Sequence, residues 1–212
     1  MTRNSKIRKP LSAVQKRIQQ AALRLLVEKG VNGVNVKDLA RSAKVARGTI
    51  YNNHRASIEE MFQEIASQLS VEMHQRVVAT LGDLDDPAER LAIGIRLFVR
   101  RAHREPDWGA FMARFAMSNS ALRQMWLGPP RKDVVAGIAS GRYKLRTELM
   151  QAAIPMIATT TLGAMFLVLK MHRNWRKAGS DAAELTLRAL GVSAKEAYAI
   201  ATAELPELAP VS

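Results

Sequence analysis

Residues 47–53, Arg-Gly-Thr-Ile-Tyr-Asn-Asn, place a guanidinium, a hydroxyl, a phenol and two carboxamides within seven positions. On a helix, Arg47, Thr49, Asn52 and Asn53 lie on the outer side, where they can donate to and accept from base edges in a major groove. Just upstream, Val36, Leu39, Ala40, Ala43 and Val45, followed by Ile50, have the spacing of a helix-turn-helix core. Small Ala40 sits where two helices cross closely, and Val45 plugs the turn. A tight helical hairpin of any kind could carry that apolar pattern; the polar outer side is what turns the reading towards DNA.

Other chemistry finds little support. His54, His74, His103 and His172 are scattered without metal-ligand spacing, no Gly-rich loop follows a strand, and no Ser, His and acid set has local support. Cysteine is absent, which removes disulfides and thiolate chemistry. The expectation is a chain that is not an enzyme and uses no metal and no cofactor.

Charge agrees with a polyanionic partner. The net charge is +13, and residues 1–55 hold thirteen Lys or Arg against two acids, Glu28 and Asp38, whereas residues 56–212 hold nineteen against seventeen. An even scatter would merely aid solubility; this asymmetry suggests a dedicated binding face. The rival is an architectural protein that binds DNA with little sequence preference and without a small-molecule effector. No secretory signal is recognisable, and the most apolar region, Ile154 to Leu169, ends in a basic run at Lys170, His172 and Arg173. These features predict no membrane span and a cytoplasmic location.

The elements that must position these groups read as helices, since apolar residues recur at helical spacing and period-two alternation never persists. Residues 1–11, with Arg3, Lys6, Arg8 and Lys9, lack periodicity and read as a flexible basic arm, either solvated or reaching a minor groove. Val14, Ile18, Ala21, Ala22, Leu25 and Leu26 mark a first helix ending at Gly30, and Asn35 with Asp38 caps a short one over 36–43. A connecting helix runs over 58–82, and Asp86-Pro87 starts the next, which ends before Pro106. Segments 108–118, 121–127 and 132–140 follow. One long helix is predicted from Glu148 to about Lys177, with a kink at Pro155. Ser180 and Asp181 then cap a helix ending at Gly191, and Ser193 with Glu196 caps the last.

The stretch from helix 1 through VKDLARSAKVARGTIYNNH resembles the DNA-binding domain of the TetR family of transcriptional regulators, over about residues 12–66. The resemblance implies an all-α fold, with a helix-turn-helix DNA-binding domain at 12–57, the connecting helix, and a larger ligand-binding and dimerisation domain at 83–212. It implies that Asn35 and Lys37 touch the duplex, that Arg47, Thr49 and Asn52 approach bases, that Tyr51 bonds a phosphate, and that Gly48 lets the helix approach the backbone. Asn53 completes the recognition helix. The chain departs from the family pattern at three places. Lys44 stands where the family usually has Gly, implying a lysine at positive φ that can offset its strain through a phosphate. His54 replaces a buried Phe, read either as a packed histidine or a DNA ligand. Arg55-Ala56-Ser57-Ile58 lacks the family's Pro-Ser-Lys-Glu, leaving Arg55 as substitute for its lysine contact.

Beyond residue 80 the resemblance loosens to DVVAGIASGRYKL and LRALGVSAKEAYAIATAEL. Small residues at Ala152, Ala153, Thr159, Thr160, Gly163 and Ala164 permit close helix approach, as either a homodimer through the last long helices or a core helix requires. Trp108, Phe111, Met112, Phe115, Met117, Met125 and Trp126 cluster in a chain otherwise poor in aromatics, and serve equally as core or as the wall of an apolar effector pocket. Met150, Ile154, Met165 and Phe166 are candidates for the opposite wall, and His103, Arg104 and Arg114 for meeting a ligand carboxylate. The partners expected are double-stranded DNA, a second copy of the chain and a small apolar or amphipathic effector.

Overall fold

The structure, a computed structural model, describes residues 12–53 and 57–210, and every regular element among them is helical. The expected basic arm, His54 and Arg55 lie outside the described residues, as does the side chain of Asn53. The chain divides into two compact units, Met1–Ile65 and Ala66–Ser212.

In the first unit, α1 (Ala13–Lys29) opens on a reciprocal capping box between Ser12 and Gln15. It stops at Gly30, whose φ of 72° and ψ of 171° suit glycine but not the left-handed helical cap expected there. Asn35 caps α2 (Val36–Ala43), its side chain accepting from the Asp38 N–H at 2.9 Å. The recognition segment forms α3 (Arg47–Asn53). Helix α2 lies against both α1 and α3, burying Ile18, Ala22, Leu26, Leu39, Ala40 and Ile50.

Helix α4 (Ile58–Leu81) runs from the first unit into the second. Ser57 and Glu60 start it with a second capping box, Ser57 N–H donating to the Glu60 carboxylate at 2.8 Å and Glu60 N–H to Ser57 Oγ at 3.2 Å. This local device supplies the helix start where the sequence departs from the family motif.

The second unit is built around α5 (Pro87–Arg104), which packs on α6 (Pro106–Phe115), α8 (Pro129–Ala139), α9 (Met150–Met171), α10 (Trp175–Ala189) and α11 (Ala194–Thr202). Between α6 and α8 lies α7 (Ser120–Leu127), capped by Asn119. Helices α6 and α8 begin earlier than expected because Pro106 and Pro129 occupy first-turn positions, where a missing N–H costs nothing. The single helix expected over 148–177 is two helices. His172 leaves α9 in the left-handed region at φ 51°, and Asn174 caps α10 by accepting from the Arg176 and Lys177 N–H groups. Ser180 and Asp181, expected to cap a helix, therefore lie inside α10. The apolar period carries across the break almost in phase, so periodicity alone could not show it.

The most apolar helix meets a test of length and composition that a buried core helix also passes. Thr147–Met171 has a mean hydropathy of 1.9 over its most apolar window and is long and apolar enough to cross a membrane by length and composition. Less than half of that window is buried within the chain, at 44%. Its inner side, with Ala153, Ile157, Thr161 and Met165, is buried against neighbouring helices, while Phe166, Leu167 and Met171 are exposed.

Candidate DNA interface and sensor cavity

The turn between α2 and α3 is set by Lys44 at φ 54° and ψ 50°. Its N–H donates to the Arg41 carbonyl at 3.2 Å, and the Val45 N–H reaches the Ala40 carbonyl at 3.0 Å, so the α2 carbonyls are satisfied in a Schellman arrangement. The lysine that departs from the family pattern thus adopts the glycine-like conformation. That geometry lets the chain reverse sharply and begin α3 with an exposed Arg47.

Arg47, Gly48, Tyr51 and Asn52 recur at i, i+1, i+4 and i+5, one side of a helix, and all four are exposed, Tyr51 by 55%. Ile50 on the opposite side is buried. Gly48 has nothing within 4 Å of where a Cβ would stand, so packing inside the chain does not demand glycine there. Thr49 is half-buried, while Lys37 and Lys44 are exposed. Asn35 is exposed but already engaged: beyond its cap, its Nδ2 donates to the Asp38 carboxylate at 3.2 Å. Lys29 also binds Asp38, at 2.6 Å, and that hydrogen bond holds the Asp38 carboxyl below its ordinary range. One of the few acids in this unit is thereby neutralised, and the lysines and Arg47 keep a positive face.

In the second unit a cavity of about 30 Å³ lies among α4, α5, α7, α8 and α9. Val77, Leu91, Ile95, Phe98, Trp126 and Ile157 form apolar walls, and His74, Arg90 and Asp133 bring polar groups to it. Of the eleven residues expected to line a pocket, Met125 and Trp126 line this one, and the exposed Met117 does not. Trp108, Phe111, Met112, Ile154 and Met165 are buried without lining it, Phe115 and Met150 are half-buried, and Phe166 is exposed by 53%. The aromatic cluster is split: Phe98 bridges Trp108 and Trp126 at centroid distances of 5.8 and 5.1 Å, and only the Trp126 side reaches the cavity. His103 stacks near Trp175, Arg104 pairs with Glu207 at 2.8 Å, and Arg114 lies over the Phe115 ring, all outside the cavity lining.

The polar residues of the cavity were not picked out from the sequence. Arg90 Nε donates to Asp133 at 2.8 Å and its Nη1 to the Leu84 carbonyl at 2.8 Å. Burial pushes the Asp133 carboxyl above its ordinary value in spite of that partner. Burial and the charge of Lys132 lower the His74 imidazole, which sits against Gly128, a Cβ there meeting its Nδ1 at 3.0 Å. Arg90 and Asp133 are 43 residues apart, on different helices, and no local spacing announces them.

Two family models match the chain: "Bacterial regulatory proteins, tetR family" over residues 18–65 and "Tetracyclin repressor-like, C-terminal domain" over residues 86–203. No curated protein matches it. Among solved structures, RolR in complex with resorcinol is 26% identical with a TM-score of 0.68, covering 92% of this chain and 96% of its own. A putative tetR family regulator from Shewanella sp. PV-4 is 21% identical, with a TM-score of 0.68, and covers 86% of this chain and 100% of its own. FadR from Bacillus subtilis, in complex with stearoyl-CoA, is 20% identical with a TM-score of 0.67, covering 84% and 99%. With a helix-turn-helix unit matching the first model and a larger helical unit matching the second, the chain belongs to the TetR family of DNA-binding transcription regulators.

Proposed function

We propose that the protein is a sequence-specific repressor that binds a palindromic operator as a homodimer and is released by a small apolar or amphipathic effector. The observation that carries the reading is the exposed side of α3, where Arg47, Tyr51 and Asn52 stand free of the core that Ile50 anchors. Arg47 and Asn52 read base edges, while Tyr51, Lys37 and Lys44 hold phosphates and fix the register. Gly48 leaves room for the sugar-phosphate backbone.

The homodimer is supported by the outer side of α9 and α10. Phe166, Leu167 and Met171 on α9 and Leu185 on α10 are exposed, Leu185 by 59%, and Gly163 has open space where a Cβ would stand. Large apolar side chains gathered on an otherwise polar surface favour burial against a like surface. Two recognition helices then meet successive major grooves about one helical turn, or a multiple of it, apart. Four cavity residues, Met73, His74, Val77 and Leu81, sit on α4, the helix that continues into the DNA-binding unit. An effector that widens the cavity moves α4 and shifts the population away from the DNA-competent state.

The test is binding to genomic fragments, including the DNA upstream of the protein's own gene, at physiological salt with excess competitor DNA. A tight, salt-sensitive site with two-fold symmetry supports the repressor. Uniform binding to all fragments favours a low-specificity architectural protein and overturns it.

A further inference from the structure

Residues 203–210, Ala-Glu-Leu-Pro-Glu-Leu-Ala-Pro, follow α11 without helix. Pro206 and Pro210 have no N–H to close a helical turn, and each biases the residue before it towards extended backbone. A segment of this kind makes few bonds with itself and must be held from outside. Arginines hold it. Arg96 and Arg100 of α5 donate to the carbonyls of Ala203 and Pro206 at 2.7 and 2.8 Å, and Arg76 of α4 donates to that of Ala209 at 2.7 Å.

The accepting carbonyls fall at every third residue, the repeat of a polyproline II turn. Exposure keeps the same step, with Glu204, Glu207 and Pro210 exposed and Leu205 and Leu208 half-buried. Charge fits too: Glu207 pairs with both Arg100 and Arg104, and Arg176 adds a further positive charge beside Arg100. Helices α4 and α5 thus treat residues 203–210 as an extended acidic peptide, gripping its main chain and sheltering its leucines.

Ala209 is the point of attachment to α4. It uses both main-chain groups there, accepting from Arg76 and donating to Thr80 Oγ1, one turn further along the helix. Arg76 also pairs with Glu72, which pairs with the buried Arg101 of α5 at 2.9 Å. These bonds matter because α5 lies close, backbone to backbone, against α6, α8, α9, α10 and α11 but far less against α4. Long side chains and the segment bridge the two. The grip can also let go: the Glu207 side chain is 71% exposed and none of residues 203–210 is fully buried. Such parts of a structure open locally without the whole unfolding.

We infer that residues 203–210 are a reversible strap: docked, they hold α4 to α5; undocked, they leave α4 free to move, so that docking of the segment and DNA binding are coupled. Helix α4 continues into the DNA-binding unit, and a loosened α4 must be ordered anew when DNA binds, which weakens binding. The link to DNA rests on the part given to α4 in the proposed function; the docking does not.

The experiment compares the full chain with a variant carrying Leu205→Gly, Glu207→Arg and Leu208→Gly, which alters the segment and none of its partners on the helices. Amide exchange is followed by NMR, and affinity is measured on the DNA upstream of the gene and on a mixed-sequence duplex. In the parent, the Ala209 amide exchanges faster than those of α5 by about tenfold or more, through local opening. In the variant, protection falls over residues 73–81 but not in α5, and DNA binding weakens about tenfold, within the usual range of coupling between sites. A synthetic peptide of residues 203–212, added in large excess, restores both, whereas the same peptide with Glu207→Arg restores neither. Exchange of the Ala209 amide only on global unfolding, or a variant that does not fold, makes the segment fixed core and overturns the proposal. Lost protection with unchanged affinity overturns it as well, as does a parent-sequence peptide that restores nothing. A parent that binds both DNAs alike defeats the repressor reading, and the parent-to-variant ratio on the mixed-sequence duplex then decides the strap: a loss of about tenfold upholds it and equal affinity overturns it.

Discussion

Arg76 on α4 donates through Nε to the carbonyl of Ala209 at 2.7 Å, although the two residues are 133 positions apart. The Ala209 N–H in turn donates to Thr80 Oγ1 at 2.8 Å. The same tail engages α5, where Arg96 reaches the Ala203 carbonyl at 2.7 Å and Arg100 the Pro206 carbonyl at 2.8 Å. Arg100 and Arg104 both pair with Glu207. The C-terminal residues therefore strap α4 to α5 beside the cavity.

Removing residues 204–212 leaves the buried Arg100 and the half-buried Arg76 without their acceptors, while Arg96 keeps the Ala203 carbonyl. The expected loss is on the order of 3 kcal/mol of unfolding free energy, from several charge-assisted hydrogen bonds partly replaced by water. Amide exchange should accelerate over residues 73–81. Denaturant unfolding and exchange measured by mass spectrometry check both, and an unchanged midpoint with unchanged protection would make the strap a passive tail.

Lys44 offers a separation of stability from DNA binding. Its left-handed conformation at φ 54° costs a residue with a Cβ about 1 kcal/mol relative to glycine. Lys44→Gly should raise stability by up to that amount and weaken DNA binding of every sequence alike, with a shallower salt dependence. Thermal unfolding and filter binding at several salt concentrations give the two readouts. A variant that is more stable and binds equally well would mean Lys44 touches no phosphate.

Much of this was legible in local sequence, because caps and turns are local. Asn35 with Asp38, Asp86 with Pro87 and Ser193 with Glu196 each occupy the capping position expected, and α2 spans the residues its apolar period indicated. The break at His172–Asn174 was hidden because the apolar period continues across it. The cavity was hidden for a different reason. Aromatic spacing marks which residues avoid water, but not which of them face a void, and Trp108 and Trp126 differ only through what α4 and α8 bring near them. Likewise no local spacing marks Arg96 and Arg100 as buried, yet both are, and their acceptors come more than a hundred residues later.

Asp133 and Asp86 should respond to acid in opposite senses. Burial raises the Asp133 carboxyl above its ordinary value, so its contribution to stability is present below the unfolded value and is lost as pH rises through the folded one. For Asp86 burial acts upwards too, but hydrogen bonds from Arg142 and the Ala88 N–H more than offset it. Its contribution is present above the unfolded value, about 4, and is lost as pH falls through the lower folded one. Arg90→Gln removes the partner of a buried carboxylate and should cost about 3–5 kcal/mol at pH 7. That cost should shrink as pH falls and Asp133 takes a proton. Urea unfolding of both proteins between pH 4 and 8 tests this, and a cost independent of pH would place the loss in packing instead.

Gly137 is held by contact rather than by backbone conformation. A Cβ there would meet Tyr143 Cδ2 at 2.1 Å, and Tyr143 is itself buried, so the ring has no easy retreat. Gly137→Ala should destabilise the second unit by about 1–3 kcal/mol, although alanine favours helix. Retained stability in thermal unfolding would show that α8 and the residue 143 loop can separate at little cost.

Arg47 and Lys37 test the division of labour in the proposed DNA interface. Arg47 is exposed at the start of α3, and Lys37 is exposed on α2; the first has a planar fork suited to two acceptors of a guanine, the second a single point charge suited to a phosphate. Arg47→Ala should therefore lose about 1–3 kcal/mol on the preferred site and little on variants changed at one position per half-site, flattening the preference there. Lys37→Ala should weaken all sequences by a similar factor and lower the salt slope by about one ion per protomer. Neither change removes a buried side chain, so both variants should fold as the parent does. The measurement is affinity for the selected operator and its single-position variants at three salt concentrations. If Arg47→Ala weakens every sequence equally while Lys37→Ala alters base preference, α2 rather than α3 is the element that reads the groove.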